Sequence, residues 1–133
     1  QLTPIALTGD PSGAVLVGSR LWVAAWDTVF VFDVAGGAKL ATFAVPSAGD
    51  PVTDGTTVYV PSTTGTQVHR FDAATLTSRT PLSMGGCPDW ASVAAGRLWV
   101  SYGCSAGDPS APITARIPRS RARLTASPGS RWR

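Results

Sequence analysis

The fold is decided by residues 18–33, which read GSRLWVAAWDTVFVFD. Two apolar segments, 21–25 and 29–33, flank a short turn and are rich in aromatic and β-branched residues. Such segments favour β-strands, so the stretch predicts an antiparallel hairpin. The unbroken apolar run Leu21-Trp22-Val23 further indicates a central strand that is covered on both faces.

The same pattern recurs twice further along the chain. Residues 55–72 read GTTVYVPSTTGTQVHRFD, and residues 96–100 read GRLWV. The aromatic residues Trp22, Tyr59 and Trp99 are spaced by 37 and 40 residues. A period near 40 with several short strands is typical of a propeller blade, a four-stranded antiparallel sheet that must stack on neighbouring blades. The three aromatic residues are therefore predicted to fill the gaps between blades.

The repeats predict an all-β fold built as an incomplete β-propeller. They occupy residues 1–110, with turn landmarks at 9–11, 49–51 and 86–88. The predicted strands of the first copy, from the innermost to the outermost, are 14–17, 21–25, 29–33 and 39–45. Residues 2–7 are predicted to form the outermost strand of a preceding blade. The third copy loses the pattern in its second half, which gives about three blades, whereas rings use typically 4 to 8.

These residues resemble a known group of proteins. The run Gly-x-x-Leu-Trp-Val, followed by Val-x-Val-Phe-Asp and Gly-Asp-Pro, is similar to the YVTN or YncE-type repeat of bacterial secreted propellers. The resemblance covers residues 1 to about 104. It implies a propeller architecture and a secreted protein, and it implies little about activity, because the repeat encodes packing and turns.

Composition supports the same fold class and excludes several functions. The 133 residues contain no Glu and no Asn, and strong helix formers are scarce. The net charge of +3 divides into −3 for residues 1–115 and +6 for residues 116–133, so the repeats offer no basic surface for nucleic acid. The longest apolar run, residues 21–26, is far too short for a membrane helix.

The two ends of the chain depart from the repeats. Residues 111–133 are rich in Arg, Ser and Pro, and we interpret them as a disordered tail or as an out-of-frame segment. A nucleic-acid or anionic-surface arm is the alternative. The start at Gln1 has neither an initiator Met nor the regions of a signal peptide, which suggests a processed or excised piece.

Cys87 and Cys104 are the only cysteines, and they flank the second strand of the third copy. The innermost strand runs away from Cys87 and the second strand returns toward it, so a disulfide is geometrically reasonable. The alternative is a pair of free thiols packed as small hydrophobic groups. A disulfide would place the protein in an oxidising compartment, at the cell surface or outside the cell.

The single histidine, His69, is the one obvious general base. Its place in the repeat matches Phe30, which favours a packing role. One His and two distant Cys do not make a zinc site, and we expect no metal and no cofactor. Streptogramin lyases are propellers with a comparable repeat and a catalytic histidine, so a lyase-like or quinoprotein-like enzyme fragment is the alternative to a non-enzymatic protein.

The aspartates recur with the repeat. Asp33 and Asp72 end third strands, where a carboxylate that accepts nearby backbone N–H groups favours a turn. Asp10, Asp50 and Asp89 lie in loops that enter innermost strands. These loops crowd the mouth of a propeller channel, so the three residues are the candidate binding site.

The sequence therefore predicts a non-enzymatic binding or scaffold module in an extracytoplasmic bacterial protein. Its ligand could be a protein, a glycan or a small molecule. A purely structural spacer is a further alternative. The ring would be completed by missing blades or by a second copy of the chain. An exposed aromatic patch on the loops would favour a binder over both an enzyme and a spacer.

Overall fold

The computed structural model describes residues 4–102, and these residues form β-strands and turns with no helix. The strands are β1 (Pro11–Val17), β2 (Arg20–Ala25), β3 (Thr28–Asp33), β4 (Lys39–Ala44), β5 (Val52–Thr53), β6 (Thr57–Pro61), β7 (Gln67–Asp72), β8 (Thr77–Ser83), β9 (Pro88–Ala94) and β10 (Arg97–Tyr102). With no helix among the described residues, none there is long and apolar enough to cross a membrane. The predicted all-β class is confirmed.

The strands form antiparallel sheets in chain order. Blade 1 contains β1 to β4, blade 2 contains β5 to β8, and the described part of blade 3 contains β9 and β10. Within each blade, each strand pairs with the next one along the chain. This meander is the predicted blade, and the sheets formed by residues 4–102 do not close into a ring.

The turns after the third strands are fixed by aspartate side chains, as predicted. Asp33 Oδ1 accepts the N–H of Ala35 at 3.3 Å. Asp72 Oδ1 accepts the N–H groups of Ala74 and Thr75 at 3.0 and 2.9 Å. The pKa of Asp72 lies far below its usual value, mainly because of the hydrogen bond from the Thr75 N–H and secondly because of the ion pair with Arg79.

Each blade has two faces, which we name by their direction along the chain. The forward face looks toward the next blade, and the rear face looks toward the preceding blade. On the forward face of blade 1, Trp22 is fully buried and stacks on Phe43, with ring centroids 5.8 Å apart. It meets the rear face of blade 2, where Phe71 and the fully buried Val58 and Val60 complete one core.

The contact between blades 2 and 3 has the same design. Tyr59 on the forward face of blade 2 packs in a second core with Leu98, Val100 and Ala91 on the rear face of blade 3. Strand two of each blade thus directs its aromatic residue forward and its aliphatic residues backward. Because both faces of such a strand are covered, its sequence is apolar without alternation.

Three predictions are corrected by the structure. Trp22 and Tyr59 fill gaps between blades, but Trp99 is 37% exposed, because no blade covers the forward face of blade 3 among the described residues. Residues 4–7 are not a strand, since a strand needs a hydrogen-bonded neighbour and the described residues include no strand of a preceding blade. The innermost strand of blade 1 begins at Pro11 and not at position 14.

The predictions about Cys104 and the tail 111–133 fall outside the described residues. Within them, Cys87 is buried and directly precedes β9. Tyr102 at the end of β10 pairs with Pro88 at the start of β9. The pairing of Cys87 with Cys104 therefore stays a prediction.

Candidate binding site at the mouth loops

The three predicted aspartates are all exposed, and they lie at one end of their blades. Asp10 and Asp50 lie in loops, as predicted, directly before β1 and shortly before β5. The prediction of a loop is wrong for Asp89, because β9 begins one residue earlier, at Pro88. Because β1, β5 and β9 are the inner strands of successive blades, their starting ends face the same way. We call this end of the molecule the mouth.

Asp50 is held close to the inner strand of blade 1. A side-chain carbon at Gly13 would collide with the Asp50 carboxylate. Glycine at position 13 is thus required for the approach of the two blades at the mouth. The structure brings Asp50 against blade 1, whereas Asp89 belongs to blade 3.

The turn between β2 and β3 adds two residues, Trp26 and Asp27. Trp26 has a left-handed backbone conformation with φ of 50°, and its side chain is 67% exposed. Its carbonyl oxygen accepts the N–H of Ala48 at 2.6 Å. Asp27 Oδ1 accepts the N–H of Ser47, also at 2.6 Å. The exposed indole is therefore mounted on a turn that is tied to the connection between blades 1 and 2.

Further hydrogen bonds fix this connection from both sides. Ser12 Oγ in β1 donates to the carbonyl of Ala48 at 2.7 Å. Ser62, which is 3% exposed, donates to the carbonyl of Pro46 at 2.6 Å. A rigid support of this kind lets exposed side chains bind a ligand with little loss of conformational entropy.

A shallow groove of about 370 Å³ lies at the boundary of blades 1 and 2. It is lined by Asp10, Ser12, Trp26, Asp27, Ser47, Ala48 and Thr63. The lining combines an aromatic ring, two carboxylates and three hydroxyl groups, and it contains no basic side chain. Such a surface suits a cationic ligand that can also donate hydrogen bonds.

Sequence reasoning identified Asp10 as a mouth residue and missed Trp26 and Asp27. The sequence did contain a signal for these two residues. The pair Trp26-Asp27 forms the turn between two apolar strands, and a large aromatic residue is uncommon in such a turn. Among residues 4–102 no group of three His, Cys or Asp side chains could hold a metal ion.

Two further titratable groups, His69 and Asp54, lie outside the groove. His69 is partly buried in the middle of β7, and burial lowers its pKa below the usual 6.5. In blade 2, Asp54 Oδ1 accepts the N–H groups of Thr56 and Thr57 at 2.9 and 2.7 Å. Burial opposes ionisation of Asp54, but the bonds from Thr57 and Thr56 outweigh it and lower the pKa of the carboxyl group. These groups serve the sheets and turns.

Comparison with known proteins supports the architecture. The sequence matches no family model. It also matches no curated protein. Among solved structures, the hydrazine synthase of Kuenenia stuttgartiensis is 17% identical with a TM-score of 0.62, over 69% of this chain and 29% of that chain. The RRP9 WD40 repeats are 12% identical with a TM-score of 0.64, over 72% of this chain and 33% of theirs.

A designed protein gives a third likeness. The computationally designed Ika4 protein is 12% identical with a TM-score of 0.65, over 77% of this chain and 68% of that chain. The chain thus spans about a third of the length of the two natural proteins and about two thirds of the designed one. Identities this low show the fold alone, and that fold is the β-propeller. The described residues are propeller blades in an arc that does not close on itself.

Proposed function

We propose that this propeller segment is a non-enzymatic binding module whose mouth groove takes a basic segment of a partner protein. The observation that carries the proposal is the side chain of Trp26. It is the most exposed of the large hydrophobic side chains described, and it is held on a hydrogen-bonded turn beside Asp10 and Asp27. An exposed aromatic residue on a rigid loop marks an interaction site.

The chemistry of the groove selects the class of ligand. A Lys or Arg side chain over an indole ring gains cation–π attraction, and a neighbouring carboxylate adds a charge-assisted hydrogen bond. Asp10 and Asp27 supply two carboxylates in the same groove as the ring. The hydroxyl groups of Ser12, Ser47 and Thr63 offer further acceptors for the same cationic groups.

The experiment is a calorimetric titration of the full chain with a lysine-rich peptide at physiological salt. We expect binding that weakens at least tenfold in Trp26→Ala and in Asp27→Asn. The Asn side chain can still accept the N–H of Ser47, so Asp27→Asn removes charge while it preserves the turn. Val34→Ala, an exposed apolar change at the opposite end of blade 1, is the matched control and should leave the affinity unchanged.

Two probes separate this proposal from its competitors. The same peptide with acetylated lysines should bind at least tenfold more weakly, because it has lost its charge. A set of neutral oligosaccharides tests a glycan ligand. Equal binding of the acetylated peptide, or tighter binding of an oligosaccharide, would overturn the assignment of a basic ligand.

The cellular setting is part of the proposal. We assign the chain to the YVTN or YncE type of bacterial propeller, on the strength of the repeat Gly-x-x-Leu-Trp-Val and Val-x-Val-Phe-Asp. We place it outside the cytoplasm, because a disulfide between Cys87 and Cys104 would need an oxidising compartment. The non-enzymatic assignment draws support from His69, which lies in a strand and not among the mouth residues.

A further inference from the structure

A second cavity lies at the boundary of blades 1 and 2, at the end opposite the mouth. It measures about 500 Å³, a volume in the range of small-molecule sites. The turn between β1 and β2 forms one wall, and turns of blade 2 form the other. Its lining residues are Val17, Gly18, Ser19, Arg20, Gly55, Thr56, Asp72, Ala73 and Ala74. At Gly18 and Gly55 an added side-chain carbon would meet no described residue within 4 Å except its chain neighbours, so these two glycines leave the cavity open.

The cavity contains two charged side chains, and one of them has no counter-charge. Asp72 forms an ion pair with Arg79, so its charge is balanced. Arg20 instead donates from Nη1 to the carbonyl oxygens of Ala73 and Ala74, at 2.5 and 2.6 Å. In the described part of the chain, Arg20 has no carboxylate partner. The cavity therefore carries one positive charge that the described residues do not neutralise.

The two carbonyl bonds orient the Arg20 guanidinium and leave one of its edges free. Both bonds come from Nη1. Nε and Nη2 form no hydrogen bond with any described residue. An Nε–H and an Nη2–H can donate two parallel bonds to one carboxylate or phosphate group. Because the guanidinium is already oriented, an oxyanion would bind it with little loss of side-chain entropy.

Packing between blades does not require an arginine at this position. In blade 2 the equivalent residue is Thr57, which begins β6 as Arg20 begins β2. Thr57 is buried and uncharged, and blade 2 still packs against blade 3 through Tyr59 and Leu98. The contact between blades 1 and 2 has its own hydrophobic core around Trp22. Arg20 thus adds a charge to a contact that apolar residues already hold together.

We propose that this cavity binds a small organic carboxylate, which Arg20 recognises. A monoanion matches the single unbalanced charge, whereas a phosphate dianion would bring a second negative charge close to Asp72. The small apolar side chains of Val17, Ala73 and Ala74 suit the apolar body of such a ligand. The cavity shares no lining residue with the mouth groove, so the proposal is independent of the function assigned there.

The test is a titration of the full chain with sodium benzoate at constant ionic strength, followed by NMR. We expect saturable shifts of the Arg20 Nε–H signal and of the Ser19 and Thr56 amide signals. Benzamide, which has the same ring without the charge, should give no saturable shift. Inorganic phosphate should bind at least tenfold more weakly than benzoate. Because the ligand contacts both blades, benzoate should also raise the melting temperature, and benzamide should not.

Three variants locate the site. Arg20→Gln should weaken benzoate binding at least tenfold, but it also removes the bonds to the turn of blade 2. Ser19→Trp places an indole in the cavity and keeps the arginine with its carbonyl bonds, and it should weaken binding at least tenfold as well. Arg97→Gln removes the arginine at the equivalent position of blade 3 and is the matched control. It should bind benzoate as the wild type does.

Several results would each overturn the proposal. One is a wild type that shows no saturable binding of benzoate, or that binds benzamide equally well. Another is tighter binding of inorganic phosphate, or of a peptide through its C-terminal carboxylate, than of benzoate. Unchanged binding in Arg20→Gln would do the same. If Arg20→Gln does not fold, unchanged binding in Ser19→Trp decides against the cavity, as does an equal loss in Arg97→Gln.

Discussion

Tyr59 donates its phenolic hydrogen to Oδ2 of Asp54 at 2.9 Å, and this bond joins the core of blade 2 to the turn that begins β6. The ring of Tyr59 is buried against blade 3, while Asp54 is exposed and also receives the N–H groups of its own turn. Asp54 therefore holds its own turn and, through the hydroxyl group of Tyr59, also fixes the ring that packs against blade 3.

Tyr59→Phe should lower the free energy of unfolding by about 1 kcal/mol at pH 7, since it removes one hydrogen bond and keeps the buried ring. Urea titration measures this change. Burial, and next the bond to Asp54, raise the pKa of Tyr59 above its usual 10.0. The unfolded chain thus loses the proton first, and wild-type stability should fall as the pH rises above 10. The Phe variant should lose less stability there; an equal loss in both proteins would contradict this role of Tyr59.

His69 should make the fold sensitive to acid. Its pKa is lowered by burial, so the unfolded chain binds the proton more readily than the folded chain. The stabilising effect of neutral His69 is therefore complete above about pH 6.5 and declines as the pH falls through the lowered value. His69→Phe copies Phe30 at the equivalent position and should flatten the melting temperature between pH 7 and 5. The same slope in His69→Phe as in the wild type would rule out this explanation.

His69 also separates a binder from an enzyme. Because His69 lies in β7, we expect His69→Ala to leave peptide binding at the mouth groove unchanged. A lyase-type protein would instead lose turnover with His69 while it kept its melting temperature. Loss of a measured activity in well-folded His69→Ala would refute the non-enzymatic assignment.

Trp22 and Trp99 should differ sharply in their contribution to stability. Trp22→Ala removes a fully buried aromatic residue and should cost about 3 to 5 kcal/mol. Trp99→Ala should cost clearly less, because the side chain of Trp99 is 37% exposed. The Trp22 indole N–H has no hydrogen-bond partner among the described residues, so Trp22→Phe should cost much less than Trp22→Ala. Equal destabilisation by the Ala variants of Trp22 and Trp99 would contradict the packing described.

Cys87 and Cys104 should form a disulfide under oxidising conditions. Cys87 is buried beside the start of β9, and Tyr102, two residues before Cys104, pairs with Pro88. Mass spectrometry of an unreduced digest should recover the linked peptides. Replacement of both residues by Ser should cost about 3 kcal/mol in the chain-entropy account. Recovery of both peptides with free thiols would end the prediction.

The sequence by itself determined the all-β class, the strands within each repeat and the aspartate turns, but it wrongly predicted a strand before the first repeat. The run Leu21-Trp22-Val23 pairs with the next strand along the chain, and Asp33 and Asp72 accept hydrogen bonds from residues that directly follow them. Because these interactions are local, they can be predicted from the sequence. The repeat period then located the blades, because each copy of the pattern builds one sheet.

Only the tertiary structure decided which repeated residues are buried and where the mouth surface lies. Trp22 and Trp99 occupy equivalent positions in the sequence, but burial depends on whether a neighbouring blade is present, and among residues 4–102 a blade covers Trp22 and none covers Trp99. Trp26 and Asp27 became a site because the connection at Ser47 and Ala48, about twenty residues later, fixes their turn beside Asp10. Contacts between residues far apart in sequence leave no periodic trace along the chain, so they emerge only when the blades are stacked.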